Sequence, residues 1–192
     1  LQIPIFNQSN HKFKHCPLIE GKRFDGIIKY LTDIEGGKNI HDCGKIAVTS
    51  DYTIDKNIIH SPKNVVSFNL HGCFFSNDDI NASIVFDFKE KMKINIEHYS
   101  IKSICSGGEF GCHMKNWVVE VSDDGVNNWK VIHNVIDNDD LNKKLQEKEF
   151  MTDKNDLLTQ FCRIRVTGKN SENIHYNIGI FQIEFFGYLY SF

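Results

Sequence analysis

Apolar and polar residues alternate with a period of two along most of the chain, and that period predicts strands. Over residues 117–122, Trp117, Val119 and Val121 share one face and Val118, Glu120 and Ser122 the other. Asp123, Asp124 and Gly125 then predict a turn, and the return strand carries Trp129, Val131 and Ile132, so this stretch is expected to be a β-hairpin. Ile84, Phe86 and Phe88 line one face of residues 83–88, residues 94–104 alternate in the same way, and residues 46–50 form a further short strand. In residues 161–167, Phe161, Arg163 and Arg165 oppose Cys162, Ile164 and Val166. Residues 178–186 are continuously apolar, which predicts a central strand. Val65 and Val66 begin an apolar patch that ends at Gly72 and Cys73.

Helical spacing is rare. Phe24, Ile27, Ile28 and Leu31 fit one or two turns before Gly36 and Gly37 break the chain. Residues 137–148 are charged, with Leu141 and Leu145 four apart, and predict a short surface helix or ordered loop. Residues 1–20 read as an irregular lead-in, followed by one domain over residues 21–192. Many short strands with turn signals and one or two short helices predict an all-β domain, a β-sandwich or jelly roll. Trp117, Trp129, Phe86, Phe88 and Ile164 are its expected core.

Composition narrows the function classes. The net charge is -3 and the two signs are interspersed, without the basic stripe that nucleic acid or an anionic membrane would require. No apolar run approaches the roughly 20 residues of a membrane span. The first residues carry neither the basic region nor the long apolar region of a signal peptide, and the chain lacks an initiator Met, so it reads as a fragment of a larger protein. Six cysteines are scattered without a CxxC spacing, which favours free thiols in a reducing compartment; the alternative pair is Cys105 with Cys112, closing a glycine-rich loop.

No catalytic signature is present: there is no nucleophile elbow, zinc-protease helix or phosphate loop. Cys105, Cys112 and His113 fit no standard zinc spacing, and no metal site is expected. Asp137, Asn138, Asp139 and Asp140 lack the Gly and Glu of a calcium loop; no cofactor is expected, although a structural calcium ion stays open. Arg163 and Arg165, on one strand face, are read as structural.

Several blocks occur in an order that resembles the discoidin, or F5/8 type C, family. They are residues 24–32 with 36–42, then 48–50, 84–88 and 98–103. The most specific is Lys115-Asn116-Trp117 with Ser122, Asp123, Gly125 and Trp129, and residues 161–168 and 183–187 follow it. The resemblance implies a galactose-binding-like jelly roll, of an intracellular branch often joined to BTB domains in protozoan proteins. One departure is Ser83, where the family usually has Trp.

The resemblance also implies that loops protruding at one end hold the ligand. Those loops would be residues 50–61, 69–82 and 103–116. They offer Tyr52, His71, Phe74, Phe75, Asn77, Asp78, Phe110, His113 and Lys115 as candidate binding residues. Phe74 and Phe75 would form an apolar spike, but Asp78 and Asp79 beside them oppose anionic lipid. Two functions are therefore expected. The first is a non-enzymatic protein-interaction domain of a larger intracellular, cytoplasmic adaptor. The alternative is a carbohydrate- or lipid-binding domain acting at the cell surface or outside the cell. A protein partner or a glycan suits these loops; nucleic acid does not.

Overall fold

The computed structural model describes residues 12–55, 57–69, 72–104 and 113–192. Its strands are β1 (Lys12–Cys16), β2 (Ala47–Thr49), β3 (Phe74–Phe75), β4 (Ser83–Asp87), β5 (Met92–Ser103), β6 (Trp117–Ser122), β7 (Lys130–Val135), β8 (Glu147–Met151), β9 (Phe161–Val166) and β10 (Gly179–Ser191). One helix, α1 (Ile27–Ile34), and two 3₁₀ turns, Ile58–His60 and Pro62–Val66, complete the regular structure. All pairings are antiparallel. One sheet runs β1-β10-β5-β8, with β3 also on β10, and the other runs β2-β4-β9-β6-β7. This is the predicted all-β jelly-roll sandwich with little helix.

The core lies where the alternating faces meet. Phe86 of β4 meets Phe185 of β10 edge to face at 5.1 Å, joining the two sheets, and Phe88 approaches the same ring at 6.4 Å. Phe86, Phe88, Ile164 and Trp117 are fully buried. Trp117 enters an aromatic group that also crosses between sheets. Its indole N–H donates to Tyr99 Oη at 3.0 Å, and that oxygen lies 2.8 Å from His133 Nδ1. Phe150 stacks on Tyr99 and meets Trp117 edge-on at 5.3 Å. Burial pushes the Tyr99 hydroxyl up and the His133 imidazole down, so both are neutral members of this chain.

Strand β10 is covered on both sides, as its continuous apolar run predicts. Phe185 faces the core, and Glu184 points the other way, to α1. That helix has no capping side chain of its own at Gly26. Glu184 supplies the cap instead: Oε1 accepts from Ile28 N–H at 2.7 Å and Oε2 from Lys29 N–H at 2.9 Å. Gly26 is required here, since a Cβ would lie 2.3 Å from the Phe185 carbonyl oxygen.

The structure corrects some of these expectations and makes others specific. Trp129 is not a core residue. It is half-buried on the outer side of the β9 sheet, over the Arg163 guanidinium with the carbon centre 4.0 Å from the ring centroid, and its N–H donates to Val126 O. The physical reason is the turn. Asp124 gathers the N–H groups of Val126, Asn127 and Asn128 into a loop that runs to residue 129, so β7 begins only at Lys130. Arg163 and Arg165 hold Glu120 on the same face, at 2.8 and 2.9 Å, which gives that buried carboxylate its counter-charge. The lead-in contributes β1, paired along β10. Residues 137–146 take the loop alternative, a run of turns without helix that leads into β8, where the half-buried charges of Glu147, Lys148 and Glu149 hid the strand. The patch at Val65 and Val66 is a 3₁₀ turn packed against β10. Helix α1 begins three residues later than Phe24, at Ile27, where Glu184 caps it.

Candidate functional site

The antiparallel order brings the described parts of four connections to one end of the sandwich: residues 50–55, 57–69 and 72–82, residues 104 and 113–116, residues 136–146 and residues 167–178. Backbone hydrogen bonds join them into a rim. Asn77 N–H donates to Tyr52 O at 2.6 Å and Ile54 N–H to Phe75 O at 3.2 Å, making a small ribbon of residues 52–54 and 75–77. Ser76 N–H donates to Ile178 O and Asp79 N–H to Tyr176 O, each at 3.0 Å, which ties that ribbon to the loop before β10. On the other side Asn116 is the pin. Its Oδ1 accepts from Asp137 N–H at 2.8 Å and its Nδ2 donates to Lys169 O at 2.9 Å, so one amide holds three loops. This gives a physical role to the Asn in Lys115-Asn116-Trp117.

The predicted rim residues separate into groups. Asn77 and Asp78 are exposed, and Tyr52 and Phe75 are half-buried beside them. Phe74 is fully buried in the core, so it is not a spike: as a strand residue paired with Ile180 it points opposite to Phe75. His113 is also buried, at 4% exposure, and burial pushes its imidazole down. Its Nδ1 has no hydrogen-bond partner among the described residues. Lys115 lies across the rim and is engaged by Asp137 at 2.8 Å and Asp139 at 3.8 Å. His71, Phe110 and the pair Cys105 and Cys112 lie outside the described residues.

The most organised group was only half visible in the sequence. Asp78 Oδ2 lies 2.7 Å from His175 Nδ1, and Oδ1 accepts from Tyr176 N–H at 2.7 Å. The His175 contact and then the Tyr176 N–H hold this carboxyl below its usual range. Asp78 thus clamps residues 175–176, nearly 100 positions away, while remaining half exposed. The signal that could have found His175 and Tyr176 was their place in a polar, Asn-rich loop between two confidently alternating strands. A second pair, His60 with Asp55 at 3.1 Å, stands near Phe75, with ring centroids 6.5 Å apart.

These groups can accept and donate hydrogen bonds beside aromatic surface. Among the described residues no three His, Cys, Asp or Glu side chains converge to hold a metal ion. The acidic run that kept calcium open is engaged by lysines: Asp137 and Asp139 by Lys115, and Asp140 by Lys148 at 3.3 Å.

The sequence matches no protein-family model and no curated protein. Solved structures share its architecture. A family 32 carbohydrate-binding module from Clostridium perfringens, in complex with GalNAc-β-1,3-galactose, has a TM-score of 0.56 at 12% identity, covering 74% of this chain and 96% of its own. A family 32 module from the same organism's NanJ, in complex with galactose, has a TM-score of 0.52 at 10% identity over 77% and 95%. The module of Streptococcus pneumoniae EndoD has a TM-score of 0.52 at 13% identity over 73% and 95%. The fold is therefore the discoidin-like, galactose-binding-like jelly roll that these binding modules share.

Proposed function

We propose that this domain is a non-catalytic carbohydrate-binding module whose rim holds a sugar through Asn77, Asp78 and His175 beside Tyr52. The observation that supports this reading most directly is the Asp78 clamp. A carboxylate fixed by His175 and Tyr176 N–H is preorganised, so accepting from sugar hydroxyls costs little further ordering. Amide, imidazole and carboxylate groups beside an aromatic ring suit the hydroxyls and the C–H faces of a pyranose. Relatives in fold were captured with galactose and with GalNAc-β-1,3-galactose, which supports the same ligand class.

The reading predicts that galactose-containing oligosaccharides bind the wild type in calorimetry. Asn77→Ala and His175→Ala are expected to weaken that binding at least about 10-fold, the scale of one or two lost hydrogen bonds. Both side chains are exposed, so the melting temperature should stay within a few degrees. Failure of the wild type to bind any sugar on a broad glycan array would end this reading.

The cellular setting is part of the proposal. An intracellular site of action rests on the expectation of free thiols, and a Cys105–Cys112 disulfide found by mass measurement without reductant would overturn it.

A further inference from the structure

Strand β1 stands at one edge of the sheet β1-β10-β5-β8, and among the described residues it pairs with β10 alone. Lys12, Phe13, Lys14 and His15 are all exposed. The register fixes what each face of the strand carries. Phe13 lies opposite Tyr190 and His15 opposite Tyr188, so the four rings form one ladder. His15 and Tyr188 stack nearly parallel with centroids 4.3 Å apart, and Phe13 lies 5.9 Å from each tyrosine while 60% of its surface stays exposed. Lys12 and Lys14 share the opposite face, because side chains alternate along a strand. Lys14 lies over the Tyr30 ring at 5.3 Å, and neither lysine has an ion-pair partner among the described residues. The other edge of the same sheet differs. Glu147, Lys148 and Glu149 of β8 are engaged within the fold, by Lys102, Asp140 and Arg23.

An edge strand turns the N–H and C=O groups of every second residue away from its neighbour, where a further strand can pair with them. Charge selects that strand. In the antiparallel register that pairs the whole of β1 with a second copy of itself, Lys14 meets Lys14, so self-pairing is opposed. A segment with carboxylates at alternate positions instead meets Lys12 and Lys14 with opposite charge. Its intervening side chains then lie beside Phe13 and His15. On that face Glu97 is 3.5 Å from His15 and opposes a further carboxylate, whereas the exposed Phe13 ring favours an aromatic neighbour. We propose that β1 is the docking edge for an extended segment of a partner protein in which acidic and aromatic residues alternate, added to the sheet as its next strand. Strand β1 pairs the last residues of β10, whereas β3, beside the rim, pairs the first. This edge is therefore separate from the sugar-binding group and independent of the carbohydrate reading.

The test uses the whole 192-residue chain and a short fluorescein-labelled peptide that alternates glutamate with tyrosine, read by polarisation. The wild type should bind it, more weakly at high salt because part of the attraction is between charges. The same residues arranged as one glutamate block and one tyrosine block should bind at least about 10-fold more weakly. N-methylation of one alternate set of peptide amides should abolish binding, and N-methylation of the other set should not, since only one set faces β1. The double variant Lys12→Glu, Lys14→Glu should lose about 10-fold for the glutamate peptide, the scale of two exposed ion pairs turned to repulsion. It should also gain an alternating lysine–tyrosine peptide, which an unfolded variant could not do. Phe13→Ser should weaken the wild-type interaction about 3-fold, the scale of one cross-strand aromatic pair. The proposal is overturned if the wild type does not bind the alternating peptide, if the block peptide binds as well, or if the two N-methylated peptides behave alike. It is also overturned if the charge-reversed variant keeps the glutamate peptide, or if sedimentation shows the wild type pairing with itself through a contact that Phe13→Ser removes.

Discussion

Trp117→Ala should destabilise the domain by about 3–5 kcal/mol, the cost of truncating a fully buried aromatic side chain. Two losses combine. The ring packs edge-on against Phe150, and the space it fills lies between strands of both sheets, where collapse would require both to move. The indole N–H also donates to Tyr99 Oη. That oxygen keeps His133 as its second partner, so Trp117→Phe, which preserves most of the volume, should cost only about 1–2 kcal/mol. Urea denaturation of both variants measures the difference. Trp129→Ala provides the contrast. It removes a half-exposed ring over Arg163, and about 1–2 kcal/mol is expected from the lost cation–π contact and packing. Equal losses at the two tryptophans would show that the sandwich interior is not centred on Trp117.

Glu184→Ala should cost about 3–5 kcal/mol, because the N–H groups of Ile28, Lys29 and Phe185 would be left in a dry interface without an acceptor. Both carboxyl oxygens accept, so Glu184→Gln is not conservative: one oxygen becomes an NH₂ facing an N–H, and about 1–3 kcal/mol should be lost. The group also sets a pH dependence. Burial pushes its carboxyl up to about 7, with the backbone N–H donors of Ile28, Lys29, Phe185 and Gly26 pulling in the opposite direction. A folded value above the ordinary carboxylate value means that the native state holds the proton more tightly than the unfolded chain. This contribution is therefore complete at low pH and is lost as pH rises from the usual carboxylate range through about 7, by roughly 3 kcal/mol in all. Stability of the wild type and of Glu184→Gln, measured across that window, should diverge; parallel curves would show that Glu184 does not titrate there. Glu120 acts in another window. Burial raises its carboxyl, but Arg165 and Arg163 outweigh that and hold it below its ordinary value, so its contribution fades only as pH falls through the acidic range.

Particular residues show where reading the chain succeeds and where it fails. Ile84, Phe86 and Phe88 alternate because one face of β4 is dry, so their strand and its inward face were legible without coordinates. The same holds for Ile164 between Arg163 and Arg165. Strand β8 was not legible: Glu147, Lys148 and Glu149 lie at a sheet edge, where both faces of the strand can carry charge. Phe74 and Phe75 look equivalent in sequence, yet β3 turns one into the core and leaves the other at the rim. His175 was passed over because its partner, Asp78, is 97 residues away.

The order of alternating segments by itself determined that this protein is a β-sandwich and which faces of its main strands are dry, because a period of two follows from pleated backbone and local burial. Only the tertiary structure decided that Glu184 caps a helix, that Asn116 pins three loops, and that Asp78 and His175 meet on one rim. Each of these depends on contacts between distant parts of the chain, and no local pattern records which distant residue will arrive.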